Sequence, residues 1–210
     1  MRVEDKIFVL NEVLGAEYPN PRSELQFESP FQLLVATMLA AQATDRQVNV
    51  ITRELFKRAP DAVRLSGMEL ETVVGFVRSI NYCNTKAKHI LEASRILVDR
   101  FGGEVPRTRE ELESLPGVGR KTANVVLSGA FGQAVMAVDT HVHRVSNRIG
   151  LVRTEKPEHT ETELMKIIPE SRVIDFHHYL LFHGRYTCKA KKPLCSLCRV
   201  SSVCDYPSKS

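Results

Sequence analysis

Along this chain apolar residues recur every three or four positions, and no stretch sustains the strict apolar–polar alternation that marks a strand. Ile7, Leu10, Val13 and Leu14 mark a first helix that ends at Gly15. Ser29-Pro30 reads as an N-cap followed by proline at the first helical position, opening an apolar helix to about Ala41. With hardly a polar face, this helix belongs at the centre of a domain. After the break at Gln42-Ala43-Thr44-Asp45, Val48, Ile51 and Leu55 continue on an amphipathic helix to about Arg58. Short helices over 61–65 and 69–77 precede the loop Asn81-Tyr82-Cys83-Asn84. A long helix over 85–101 closes at Gly102-Gly103. Thr108 with Glu111 three residues on reads as a capping box for a helix over 108–114. Beyond the next helix, 129–138 reads as a glycine-punctuated connection. Helices over 140–149 (capped by Asp139 or Thr140), 158–168 and 172–182 complete the chain. The fold class is all-α, with no repeat and no long linker.

Composition narrows this little. The 210 residues are 43% hydrophobic and 26% charged, which is ordinary for a globular protein and far from the disordered class. The longest apolar run, 31–41, is too short to span a bilayer, so no membrane partner is expected. The first residues carry acids and lack a long apolar region, so a cytoplasmic protein is expected. With no obvious apolar surface helix, a monomer is expected. A net charge of +4 permits a nucleic-acid partner without demanding one. Arg120, Lys121, Arg144 and Arg148 lie near one another in sequence, and Arg185, Lys189, Lys191, Lys192 and Arg199 crowd the C-terminus.

The chemistry begins at Leu115-Pro116-Gly117-Val118-Gly119-Arg120-Lys121-Thr122-Ala123. Pro116 disfavours a helical Leu115, so the preceding helix stops there. Gly117 and Gly119 allow positive φ and remove Cβ atoms, and a second helix opens at Arg120 or Lys121. The N–H groups of Gly117, Val118, Gly119 and Arg120 can then meet a backbone phosphate, as in a helix-hairpin-helix that grips DNA without reading bases. The plainer alternative is an αα-hairpin whose glycines only permit a tight corner.

Cys188, Cys195, Cys198 and Cys204 form C-x6-C-x2-C-x5-C, a density that argues for metal rather than disulfides in a chain without an export signal. Four thiolates suit zinc or an iron–sulfur cluster, and spacing leaves both open. Between the first two lie Lys189, Lys191 and Lys192, a basic loop that a metal would hold rigid against phosphates, though solvated lysines are the commoner case. Lys121 opens the helix after the hairpin; an amine, once neutral, attacks an electrophilic carbon such as that of a sugar. Eighteen residues on, Asp139 opens another helix, a spacing that allows a helix and a return. Each has a quieter explanation, as a phosphate contact and as an N-cap.

Jointly, the hairpin, Val138-Asp139-Thr140-His141, His183-Gly184-Arg185-Tyr186-Thr187-Cys188 and the cysteine tail resemble bacterial endonuclease III, from about Leu25 to Cys204. The resemblance implies a bifunctional enzyme of base-excision repair. It would remove oxidised pyrimidines from damaged double-stranded DNA as an N-glycosylase and cleave the abasic site as a lyase. It implies a [4Fe-4S] cluster on the four cysteines and two helical lobes with the active-site cleft between them. A six-helix barrel with the hairpin would span 22–132, and 1–21 with 133–210 would form the cluster domain. By the family pattern Lys121 attacks C1′ and forms a Schiff base, and Asp139 stabilises positive charge on the sugar. Gln42 fills the gap left by the extruded base, and the loop before Lys86 supplies a wedge. Here the chain departs: the family's frequent Gly-Leu-Tyr reads Asn81-Tyr82-Cys83, placing Tyr82 where leucine is common. Two rivals stand beside this reading. A monofunctional adenine-type glycosylase of the same superfamily lacks the hairpin lysine, and a non-catalytic DNA-binding module leaves Gln42, Lys121 and Asp139 without a joint purpose.

Overall fold

The computed structural model describes residues 1–206. Among them there are eleven α-helices, three short 3₁₀ turns and no strand. Among the described residues no helix is long and apolar enough to cross a membrane. The chain divides into two compact units: Ser23–Gln133, and Met1–Arg22 together with the chain from Ala134 onward.

The central unit holds α2 (Pro30–Ala40), α3 (Asp45–Arg58), α4 (Ala62–Ser66), α5 (Leu70–Val77), α6 (Cys83–Phe101), α7 (Arg109–Glu113) and α8 (Arg120–Phe131). Ser29 caps α2 by accepting from the Gln32 N–H at 3.2 Å, and every residue from Phe31 to Leu39 is buried. α2 packs against α3, α6 and α8, so its lack of a polar face reflects neighbours on all sides. α8 is longer than the sequence suggests. Gly129 lies inside it rather than in a connection, because a Cβ there would come 2.8 Å from Leu33 Cδ2 of α2. The helix ends instead at Gly132, in the left-handed region. α6 likewise begins at Cys83, two residues earlier than its pattern suggests.

The other unit joins α1 (Val3–Glu17) to α9 (Thr140–Ile149), α10 (Pro157–Ile167) and α11 (Val173–Tyr186). α1 runs past Gly15, and α11 continues beyond Phe182 through buried His183 and Gly184. Its core centres on Leu10, Leu14, Val142, Val145, Phe176 and Leu180, all essentially inaccessible to water. The buried Lys6 ammonium ties α1 to the C-terminal segment, donating to Ile149 O (2.7 Å) and Asp205 Oδ1 (2.5 Å). The basic and acidic partners come from opposite ends of the chain, which closes this discontinuous unit.

Candidate functional site

The hairpin is built by α7, a turn and α8 of the central unit. Thr108 caps α7 through the Glu111 N–H (3.3 Å), while the Glu111 carboxylate accepts from the Thr108 hydroxyl at 2.7 Å. Val118 N–H closes the turn onto Leu115 O at 3.1 Å. Gly117 sits at φ +76°, and a Cβ there would lie 2.6 Å from His89 Nδ1 of α6. Glycine is therefore required twice over, by backbone conformation and by space. Val118 buries its side chain, so the turn offers its main chain outward and anchors itself with valine. Gly119, the N-cap of α8, has no side chain to accept from the first-turn N–H groups of α8, leaving them suited to an anion. Arg120 and Lys121 open that helix with exposed side chains.

The same unit presents Gln42 and Tyr82. Both are exposed, and both hold positive φ, +56° and +58°. The third non-glycine residue with positive φ among those described is Lys192, at +51°. Left-handed backbone is unusual for such residues and collects where surrounding structure over-determines a conformation. Asn81 Nδ2 donates to Gln42 O at 3.4 Å, joining the two exposed turns. Thr44 and Gln47, just beyond Gln42, form a full capping box for α3 (Gln47 N to Thr44 Oγ1, 3.3 Å; Thr44 N to Gln47 Oε1, 3.2 Å). That signal stood in the sequence as Thr-x-x-Gln and was missed.

In the other unit Asp139 is the N-cap of α9. One carboxylate oxygen accepts from His141 N (2.9 Å) and Val142 N (2.8 Å). The side chain is half-buried, and its negative charge sits at the positive end of the helix.

Arg144 and Arg148, one and two turns along α9, are not spread over the surface as basic sequence neighbours of the hairpin. Arg144 donates to Thr140 O, Gly184 O and Cys188 O, at 2.9–3.2 Å. Burial lowers the pKa of its guanidinium from the ordinary value, partly opposed by the Cys188 thiol. Arg148 donates to Lys189 O (2.8 Å) and Ala190 O (3.0 Å), reaches Cys188 Sγ at 3.6 Å, and stacks on the Tyr206 ring. Their guanidinium forks hold the carbonyls of the cysteine loop, a use that local sequence gave no hint of. Lys189, Lys191 and Lys192 are exposed on the loop so held.

All four cysteines are free thiols and partly buried. Burial pushes the Cys198 and Cys204 thiols up, and Cys198 feels Cys188, Cys195 and Cys204 electrostatically, so the four converge on one locality. Cys198 Sγ lies 3.6 Å from His183 Nε2, and Cys204 Sγ lies 3.4 Å from Arg148 O. Among the described residues no three His, Cys, Asp or Glu side chains stand as a ready ligand set for a single ion. Four thiols gathered in one locality are a donor set whose chemistry suits a thiolate-bound centre.

Residues 35–170 match the HhH-GPD superfamily of base excision DNA repair proteins. The chain is 46% identical to an endonuclease III of Escherichia coli over 191 residues, covering 91% of this chain and 90% of the relative. To an endonuclease III of Haemophilus influenzae it is 44% identical over 196 residues, 93% of each. A solved structure of a trapped endonuclease III–DNA covalent intermediate superposes with a TM-score of 0.91 at 42% identity, covering 98% of this chain and 96% of that one. A thermostable thymine-DNA glycosylase shares the fold, with a TM-score of 0.87 at 24% identity and 98% of each chain covered. By extent and identity, the chain belongs to the HhH-GPD superfamily of base excision DNA repair proteins, among the endonuclease III enzymes.

Proposed function

We propose that this base-excision repair enzyme, a DNA glycosylase and abasic-site lyase, acts on oxidised pyrimidines in duplex DNA, with Lys121 as nucleophile and Asp139 as its electrostatic partner. The observation that carries this is Lys121 itself: an exposed amine in the first turn of α8, directly after a turn shaped to hold a phosphate. The hairpin main chain grips one strand through Gly117, Val118, Gly119 and Arg120, and Lys189, Lys191 and Lys192 add phosphate contacts. Gln42 and Tyr82 enter the gap from which the damaged base is extruded. Placing the lesion's sugar against a fixed amine turns a bimolecular attack into an intramolecular one.

Lys121 Nζ attacks C1′ and the C1′–N bond breaks, its electron pair leaving with the base, which takes up a proton. The developing positive charge on the sugar is stabilised by the Asp139 carboxylate. Loss of a proton from nitrogen and opening of the sugar ring give an imine between Lys121 and C1′. Removal of a proton from C2′ then expels the 3′ oxygen with its phosphate, breaking the strand, and water releases the lysine. Asp139 assists these proton transfers. A monofunctional adenine-type enzyme would have no use for an amine at Lys121, and a binding module would use Asp139 only as the cap of α9.

Cys188, Cys195, Cys198 and Cys204 would hold the [4Fe-4S] cluster. When bound, such a cluster cross-links four thiolates and can exchange single electrons. The chain's own contribution is to position the basic loop, through Arg144 and Arg148.

Incubating the protein with a duplex carrying one thymine glycol, followed by borohydride, should give a covalent protein–DNA band that Lys121→Ala abolishes. Base release without a trapped band would overturn the lysine mechanism. Equal binding of intact and damaged duplexes, with no release, would overturn the substrate reading.

A further inference from the structure

The turn after α2 and the start of α6 are held together by one side chain. Lys86, one turn into α6, is only 8% exposed. Its ammonium donates to Leu39 O at 2.9 Å and Ala41 O at 2.5 Å. Between them Ala40 O accepts from Ala43 N at 3.1 Å, and beyond them Gln42 O accepts from the Asn81 carboxamide. Four consecutive carbonyls at the end of α2, where a helix leaves its acceptors without partners, thus have donors. Two of these four come from Lys86 and one from the residue before Tyr82. On its own helix the Lys86 N–H donates to Tyr82 O at 2.9 Å. One residue therefore grips the Gln42 turn with its side chain and Tyr82 with its main chain.

A buried ammonium is a costly helix cap, and solvent or a backbone N–H could serve the same carbonyls. What solvent cannot do is fix two turns relative to each other. Here the turns fixed are the two of this unit that carry exposed non-glycine side chains on left-handed backbone: Gln42, and Tyr82 at 66% exposure. The side chain that joins the two turns is buried beneath them, while Gln42 and Tyr82 are exposed.

We propose that Lys86 and Asn81 form a positioning clamp that holds Gln42 and Tyr82 as a single two-pronged wedge for opening duplex DNA. The inference rests on the reading of Gln42 and Tyr82 as residues that fill the gap in the stack. A wedge works only if its prongs keep their separation while the duplex pushes back, and preorganising them removes an ordering cost from the moment of insertion. The Asn81 carboxamide adds a strut between the two turns that a side chain without a donor could not supply. Neither Lys86 nor Asn81 is a catalytic residue; both act through the prongs.

The cost of extruding a base is greatest when it is well paired and stacked, and least when it is already mismatched. Loss of the clamp should therefore hurt most at a paired lesion. The experiment compares the wild type, Asn81→Ala and Lys86→Met in single-turnover excision of thymine glycol placed opposite adenine and opposite a mismatched base. A 2-aminopurine beside the lesion reports unstacking, and thermal melting checks the fold. Asn81 is exposed, so its variant tests the clamp even if Lys86→Met does not fold. The expected result is a loss of about tenfold at the paired lesion, with a smaller loss at the mismatch and a reduced 2-aminopurine rise. Equal losses on both duplexes, or an unchanged fluorescence rise in both variants, would overturn the clamp and leave Lys86 as support for α2. Because the fluorescence reads opening without excision, a wild-type chain that opened the duplex but excised nothing would overturn the substrate reading and not the clamp.

Discussion

Asp139 holds the N-cap of α9, and the proposed mechanism gives it a second duty that substitutions can separate from the first. Its carboxylate caps α9 through two backbone N–H groups, and its charge is assigned to the sugar. Asparagine caps a helix as well as aspartate does but carries no charge, whereas alanine does neither. Asp139→Asn should melt like the wild type and excise about a hundredfold more slowly or worse, on the scale of losing a fixed electrostatic partner. Asp139→Ala should show the same rate defect with about 1 kcal/mol less stability. Single-turnover kinetics beside thermal melts would check both; a normal rate in the asparagine variant would reduce Asp139 to a cap. The two explanations open at this residue in the sequence are therefore compatible. A single carboxylate has enough acceptor capacity for both.

At the scale of elements, the loop from Cys188 to Cys195 is organised by α9 as much as by any metal. Arg144 and Arg148 hold its carbonyls, and Lys192 adopts the left-handed conformation within it. Lys192→Gly keeps that backbone, since glycine takes positive φ freely, and removes the charge. If the loop touches phosphates, this variant should bind duplex DNA more weakly, with the slope of log affinity against log salt shallower by about 0.9. Lys191→Ala should do the same. Titration by fluorescence anisotropy at several salt concentrations checks this, and unchanged slopes would return the lysines to solvent. Elements also show where local pattern stops being informative. The cap at Ser29-Pro30 was readable because the signal is local. The ends of α8 and α11 were not. Gly129 looks like a helix stop but faces Leu33, and His183-Gly184 looks polar and flexible but is buried in the other unit.

For the whole molecule, stability rests on burial in two cores and on a few polar groups taken inside. His178 is one. It lies against Phe182 and His177, and its Nδ1 is 2.9 Å from Ile174 O. Burial pushes its pKa below the ordinary 6.5, partly opposed by the Ile174 carbonyl and Asp175, with Arg185 adding to the lowering. The unfolded chain thus binds a proton that the folded one refuses. Its contribution is present in full above pH 6.5, and is lost progressively as the pH falls below that value toward the lowered folded pKa. The unfolding free energy should therefore fall between pH 7 and pH 5 by up to about 1.4 kcal/mol per pH unit for one such group. His178→Gln, which cannot take up the proton, should flatten that dependence. An identical pH profile in the variant would show that His178 does not set it.

The sequence by itself determined whatever depends on near neighbours along the chain. Helical periodicity, the Ser29 and Thr108 caps, the Leu-Pro-Gly-Val-Gly turn and the cysteine spacing are local patterns, and they sufficed for an all-α chain, the hairpin and the family. Tertiary structure alone decided the fate of the long cations. Lys6, Lys86, Arg144 and Arg148 look in sequence like any solvated or phosphate-seeking charge. Yet they are committed to carbonyls or a carboxylate 40 or more residues distant for Arg148 and Arg144, and farther still for Lys86 and Lys6. The physical reason is that a flexible, multiply donating cation has no local signature of its partner. Where it is spent depends on which orphaned acceptors the fold brings within reach, and helix ends are where those acceptors lie.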